Sequence, residues 1–362
     1  MGFNCGIVGL PNVGKSTIFN ALTAMSVPAE AFPFCTIDPN VGRVIVADEH
    51  LDELARRVQP EKVTPTHLEF VDIAGLVKGA SKGDGLGNLF LGQIRAVDAI
   101  AHVVRCFRDP DVAHVAADID PADDIGVINL ELVLADLAVV ENRLEKQGRL
   151  AKVGDKAARA GLALLEEIKL QLEQGRPVRQ LEAAASPLVR EMGLLTAKPM
   201  MIVLNVGEED PAGAGALAQT ARQQAEADHL PVVALSGKIE AELAALDPAE
   251  QQEYRATMEL GDSGLQRMIR AGYALLDLIT FYTTVGVELR AWTIPRGTPA
   301  QTAAGRIHSD MERGFIKAEV IHYDDFIAAG NEHRAREAGL IHMEGKEYAV
   351  QDRDIIRFRF NV

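Results

Sequence analysis

Several residue types are scarce in this sequence, and each shortage removes a class of protein. Only three cysteines occur in 362 residues, at irregular spacing (Cys5, Cys35 and Cys106). They cannot build a disulfide framework, and their scarcity points to a reducing compartment. Positive charge is in deficit, with 37 Lys and Arg against 52 Asp and Glu and a net charge of −15. A protein that coats nucleic acid by charge alone is thereby excluded. No apolar run approaches the ~18–20 residues of a membrane span. The opening MGFNCGIVGL has no basic n-region and no small-residue cleavage site, so no signal peptide is expected. A cytoplasmic protein with no membrane partner is the expectation.

Hydrophobic residues make up 48% of the chain, which at this length supports two or three domains with real cores and excludes disorder. The first ~130 residues alternate apolar runs with helical patterns, as an α/β sheet does. Residues 3–8, 66–71 and 99–105 read as strands and 15–23 as a helix. From residue 129 the texture changes. Leu130, Leu134, Leu137 and Leu144 define one amphipathic helix, and Gly161, Leu165, Ile168 and Leu172 a second, separated by a polar stretch at 148–154. An antiparallel helical hairpin inserted in the α/β body is the simplest reading, and two ordinary surface helices the alternative. The α/β pattern returns with strands at 199–205 and 231–235. Beyond Ile279 come short strands at 287–293, 315–321, 347–350 and 355–360. The expected domains are 1–129 with 197–278, the insertion 130–196, and a terminal α+β domain 279–362.

Charge is unevenly spread. The insertion holds 10 basic and 10 acidic residues and the terminal domain 11 and 12, leaving 16 basic against 30 acidic in the α/β body. The two near-neutral pieces have room for basic faces toward RNA. Arg353, Arg357 and Arg359 are candidates for such a face, and solvated arginines are the alternative.

The strongest motif is G-L-P-N-V-G-K-S at residues 9–16, a G-x-x-x-x-G-K-[ST] loop after a strand and before a helix. Glycines permit a turn tight enough for successive N–H groups to face phosphate oxygens, and the helix adds its positive end. Asn12, Val13, Gly14, Lys15, Ser16 and Thr17 are the expected phosphate-binding residues. Lys15 should reach the β- and γ-phosphates and Ser16 should hold Mg²⁺. Downstream, Asp72 and Gly75 form a D-x-x-G at a strand end. Asp72 would hold magnesium through water, and the Gly75 N–H would bind the γ-phosphate. Thr36 lies where a switch threonine would complete the magnesium shell, a turn threonine among prolines being the alternative. The glycine-rich stretch after Val77 suits ordering on ligand binding.

With GLPNVGKS, PFCTIDPN, DIAGLVKGASKGDGLGN and NVGEE in hand, the chain resembles the YchF/Obg-like ATPases over its whole length. The resemblance implies a P-loop G domain, an inserted helical hairpin and a C-terminal TGS domain of β-grasp type. It also implies ATP as substrate, Mg²⁺, and association with the ribosome or ribosomal RNA in translation or stress regulation. GTPases read guanine with N-K-x-D. Here the matching residues are Asn205, Val206, Gly207 and Glu208, which lack the lysine and carry a carboxylate one methylene longer. GTP preference is therefore not expected. Ser236, Gly237 and Lys238 resemble the loop that packs on the base. Leu76 replaces the water-orienting glutamine of many GTPases, so hydrolysis should be slow, with His114 as the candidate for the water contact and Lys78 and Lys82 as weaker charge stabilisers. Cys35, beside Thr36, reads as a plain buried or half-buried cysteine, redox control being the alternative. Two further functions stay open: an Obg-type GTPase, and a nucleotide-sensing binding module with incidental turnover. A monomer is expected, because the seams read as one internal hairpin.

Overall fold

A computed structural model describes residues 3–24, 40–74, 85–111, 118–152, 156–257 and 263–361. The chain starts with β1 (Asn4–Val8) and α1 (Lys15–Ala24). β2 (Val41–Ile45), α2 (Glu49–Val58), β3 (Lys62–Thr64) and β4 (His67–Asp72) follow. α3 (Gly85–Ala96) leads to β5 (Ala99–Cys106), and then come α4 (Pro121–Lys152), α5 (Lys156–Glu173) and the short α6 (Pro187–Met192). β6 (Met200–Val206), α7 (Ala216–Ala227), β7 (Val232–Leu235), α8 (Gly237–Ala244), α9 (Pro248–Thr257) and α10 (Gly264–Leu275) complete this half. The last stretch holds β8 (Leu278–Val285), β9 (Glu288–Pro295), α11 (Ala300–Ile307), β10 (Phe315–Ile321), β11 (His342–Glu344) and β12 (Ile355–Phe360).

Two compact units emerge, one of Met1–Val44 with Glu69–Gly272 and one of Ile45–Leu68 with Tyr273–Val362. The sequence reading placed 45–68 in the first domain, whereas those residues pack with the C-terminal stretch. Their local pattern, a capped helix and a short strand, suits an α/β body equally well, so the sequence gives no sign of the exchange.

In the first unit six strands form a sheet in the order β2-β4-β1-β5-β6-β7. β1 runs parallel to β4 and β5, β5 to β6, and β6 to β7. β5 and β6 are buried along their whole length, as strands covered on both faces must be. Their apolar runs are the ones read from sequence.

α4 and α5 pack as an antiparallel pair. Ala151 faces Arg159, Gln147 faces Gly161, and the Glu141 carboxylate pairs with Lys169 at 3.2 Å. Gly161 leaves room for the Gln147 amide at this crossing, where a Cβ would displace it. The seam differs from expectation on the α4 side. Val133 and Val140 are buried with Leu165, Ile168 and Leu172, and Leu137 and Leu144 pack against them. Leu130 is 50% exposed and Leu134 39%, so neither belongs to the seam. A leucine-only reading of α4 missed it because valines fill half of the stripe. Buried Asp136 fastens the hairpin base, accepting from Leu195 N at 2.9 Å, Thr196 N at 2.7 Å and Thr196 Oγ1 at 2.7 Å.

The second unit has a sheet ordered β11-β10-β12-β8-β9-β3, with the β8–β9 hairpin antiparallel and β12 parallel to β8. α11 packs Ala300, Ala303 and Ala304 with Phe281, Ile294 and Val320, while α2 packs Leu51 and Leu54 with Tyr282 and Leu289. Asp48 caps α2, accepting from His50 N and Leu51 N, and its other oxygen accepts from the Tyr282 hydroxyl at 2.8 Å. The strand expected at 347–350 is not formed. Ala349 makes only an isolated bridge to Pro299, and the edge strand is His342–Glu344 instead. The expected arginine face is neutralised: Arg359 forks onto Glu319 at 2.8 and 3.3 Å, and Arg357 reaches Glu332 at 3.3 Å. Arg353 sits at φ 71° and reaches His50.

Candidate nucleotide site

The carboxyl ends of β1, β4, β5, β6 and β7 lie along one edge of the sheet, where ligands bind in open α/β folds. Residues 9–14 leave β1 there. Asn12 adopts φ 61° and Gly14 φ 94°, the left-handed region that favours glycine and asparagine. A Cβ on Gly14 would lie 2.2 Å from the Asn205 amide, and one on Gly9 2.5 Å from the Val103 carbonyl. Glycine is therefore required at both positions by close approach. The turn delivers Lys15 to the start of α1.

Lys15 is only 8% exposed, and its ammonium donates to Gly9 O at 3.1 Å and Leu10 O at 2.7 Å. The lysine thus folds back over the loop that would hold phosphate. Burial holds its pKa below the ordinary lysine value, with the Asp72 charge opposing. Asp72 ends β4 beside β1, and its carboxylate accepts from Ser16 Oγ at 3.4 Å. Burial pushes its pKa up, with Lys15 and Ser16 opposing. A hydroxyl and a partly buried carboxylate side by side are hard oxygen donors of the kind Mg²⁺ takes.

Asn205, 5% exposed at the end of β6, is spent on the protein itself. Its amide donates to Val13 O at 2.9 Å, and its carbonyl accepts from Gly237 N at 2.9 Å. One side chain thereby joins the phosphate loop to the loop after β7. Val206 and Glu208 follow it, and the Glu208 carboxylate pairs with Lys238 at the start of α8. That contact holds the Lys238 pKa above its ordinary value. Asn12, Gly14, Thr17, Phe107, Glu208 and Lys238 are among the walls of a cavity of about 690 Å³, large enough for a nucleotide base and sugar.

The expected residues Asn12, Val13, Gly14, Lys15, Ser16, Thr17, Asp72, Asn205, Val206, Glu208, Ser236 and Gly237 therefore lie along this strand-end edge. Cys35, Thr36, Gly75, Leu76, Lys78, Lys82 and His114 lie outside the described residues. Two contributors were missed. Arg105, buried at the end of β5, donates to Phe107 O at 3.2 Å and Asp109 O at 3.2 Å, and stacks on the Phe107 ring at 4.6 Å. It fixes the loop that carries Phe107 into the cavity wall. The available signal was an arginine inside the otherwise apolar run AIAHVVRC. The second is the ion pair between Glu208 and Lys238, residues each expected near the base but not as partners, which no local pattern announces. Among the described residues no cluster of His, Cys, Asp and Glu forms a metal site, and no helix is long and apolar enough to cross a membrane.

Comparison with known proteins matches residues 4–138 to a family described as 50S ribosome-binding GTPase, and residues 278–361 to a YchF GTPase C-terminal family described as a protein of unknown function. The ribosome-binding ATPase YchF of Bacillus subtilis is 48% identical over 367 residues, and that of Escherichia coli O157:H7 50% over 364, with all of both chains covered in each case. Among solved structures, the YchF GTPase of Schizosaccharomyces pombe is 36% identical with a TM-score of 0.89, covering 99% of this chain and 98% of its own.

Proposed function

The chain belongs to the YchF family, and from that premise we propose that it binds and hydrolyses ATP in preference to GTP, as a switch that associates with the ribosome. The observation that carries the nucleotide choice is the state of the base-reading residues. Both ends of the Asn205 amide are held by backbone, and the Glu208 carboxylate is paired with Lys238. Guanine N1–H and N2–H₂ need a carboxylate aimed at both, and Glu208 is instead turned toward Lys238 in a solvent-exposed pair. Adenine asks only for an acceptor at N6.

The loop backbone from Asn12 to Thr17 cradles the phosphates, and Lys15 turns from Gly9 O and Leu10 O onto the β- and γ-phosphates. Ser16 and Asp72, with Thr36, are the residues that would hold Mg²⁺. The ion would neutralise charge on the β- and γ-oxygens. The Gly75 N–H binds the γ-phosphate, and His114 contacts the attacking water in place of the glutamine that Leu76 replaces. Binding and hydrolysis of ATP set the state of the switch. The hairpin 130–196 and the TGS domain 279–362 relay that state to the ribosome and its RNA, and the protein acts as a cytoplasmic monomer. The bacterial relatives are named ATPases, whereas the fission yeast relative is described as a GTPase.

Equilibrium binding of fluorescent ATP and GTP with magnesium to nucleotide-free protein tests the choice. ATP tighter by about ten-fold, on the order of 1.4 kcal/mol, is expected. Equal or tighter GTP returns the protein to the Obg-type GTPases. Co-sedimentation with ribosomes in ATP but not in ADP tests the partner.

A further inference from the structure

Behind the loop that follows β7 lies a second cavity of about 560 Å³. β7 is the edge strand of its sheet, and the cavity occupies that edge, walled by residues of α7, α8, α9 and α10. Val233, Leu235, Ile239 and Leu243 give it an apolar lining, and Arg222, Arg255 and Arg267 stand around it. Among the described lining residues Glu240 is the one carboxylate, and its oxygens accept from Ser263 Oγ at 2.7 Å and Gly264 N at 2.6 Å. The described lining thus holds three arginines and one carboxylate that is already engaged.

Two of the arginines are braced by backbone. Arg222 donates to Gly213 O at 3.4 Å and Ala212 O at 3.3 Å, and Arg267 donates to Ala234 O at 2.8 Å. Bracing of this kind fixes a guanidinium in advance of a ligand. Two further polar atoms are buried with no hydrogen-bond partner: Arg255 Nε and Ser236 Oγ, the latter on a side chain 4% exposed. Leaving such groups unpaired is costly; Arg255 Nε can only donate and Ser236 Oγ can donate or accept, so an acceptor is the ligand group that satisfies both. Arg267 already takes a carbonyl on the β7 edge, which suits a compact ligand rather than an added strand.

We propose that this cavity is a second binding site, taking a small organic oxyanion with an apolar body and a phosphate or carboxylate head. It is separate from the phosphate loop yet shares a wall with the nucleotide cavity, because Ser236 lines both. The next residue, Gly237, donates to Asn205, which holds the phosphate loop through Val13. Occupancy therefore changes nucleotide affinity, and by linkage nucleotide changes anion affinity by the same factor.

The test uses the full chain saturated with Mg²⁺ and a non-hydrolysable ATP analogue, so that the phosphate loop is filled. Phenyl phosphate and benzoate are titrated separately by calorimetry, to distinguish the two head groups. Saturable one-to-one binding of at least one probe is expected, with a Kd of about 1 mM or tighter. Arg255→Gln and Arg267→Gln should each weaken it by about ten-fold or more while leaving the affinity for the ATP analogue, measured without probe, within about two-fold. That second measurement also shows that the variants are folded. Failure of both probes to bind the wild-type protein overturns the site. So does equal binding to wild type and Arg255→Gln, which would put the anion elsewhere.

Discussion

The Asn205 side-chain amide donates to the Val13 carbonyl at 2.9 Å across 192 residues of sequence, tying the end of β6 to the phosphate loop. Its carbonyl, turned the other way, receives Gly237 N. The residue that opens the base-reading motif is thus a brace between two loops.

Asn205→Ala leaves a buried carbonyl at Val13 and a buried N–H at Gly237 without partners. The expected loss of stability is about 2–4 kcal/mol, from two such groups. ATP affinity should fall by at least about ten-fold, because the loop is no longer held in its binding shape. Urea denaturation and ATP titration check the two effects, and unchanged affinity in a folded variant would remove the brace from the account.

Glu208→Asp draws the carboxylate back by one methylene and away from Lys238. The ratio of ATP to GTP affinity should drop by about ten-fold, on the order of 1.4 kcal/mol, mostly through tighter GTP. If only ATP binding weakens and GTP stays the same, the ion pair orders the adenine pocket but does not exclude guanine.

Asp72→Asn separates stability from function. Burial holds the folded-state pKa of Asp72 above its unfolded value, so the native state binds more protons in that window and stability falls as pH rises through it. Nucleotide-free Asp72→Asn should therefore melt higher than wild type at neutral pH. That advantage should vanish below the carboxylate range, about pH 3.5. Mg²⁺-dependent ATP binding should weaken in the same variant and in Ser16→Ala. A melting temperature below wild type at neutral pH would mean that the Asp72 charge stabilises the site.

His102, in the middle of β5, is fully buried with both ring nitrogens unpartnered, and burial lowers its pKa to about 3. The unfolded chain takes up a proton near pH 6.5 and the folded chain does not, so stability is present above that value and is lost as pH falls toward the folded pKa. Between about pH 6.5 and 4.5 this removes about 2–3 kcal/mol. His102→Leu should shrink the difference in unfolding free energy between those two pH values by that amount. An unchanged difference would place the acid sensitivity in other groups.

Much of the site is written locally. Residues 9–17 carry their signal in adjacent positions, so Gly14, Lys15 and Ser16 were legible from spacing alone, and Asp72 from its place at the end of an apolar strand. The central strands were legible for the same reason, since burial on both faces demands an uninterrupted apolar run. The seam of α4 was misread because valines share it with leucines. The strand expected at 347–350 failed because alternation there does not lead to a partner along its length.

What the sequence determined by itself was the phosphate loop, the helical insertion and the family, because each rests on residues close together in the chain or on matching along its whole length. Tertiary structure alone decided that Asn205 braces Val13, that Glu208 pairs with Lys238, that residues 45–68 join the C-terminal unit, and that three arginines surround one cavity at the β7 edge. Those relations depend on which strands become neighbours in a sheet. That order is set by the packing of the whole unit, which no short stretch of residues encodes.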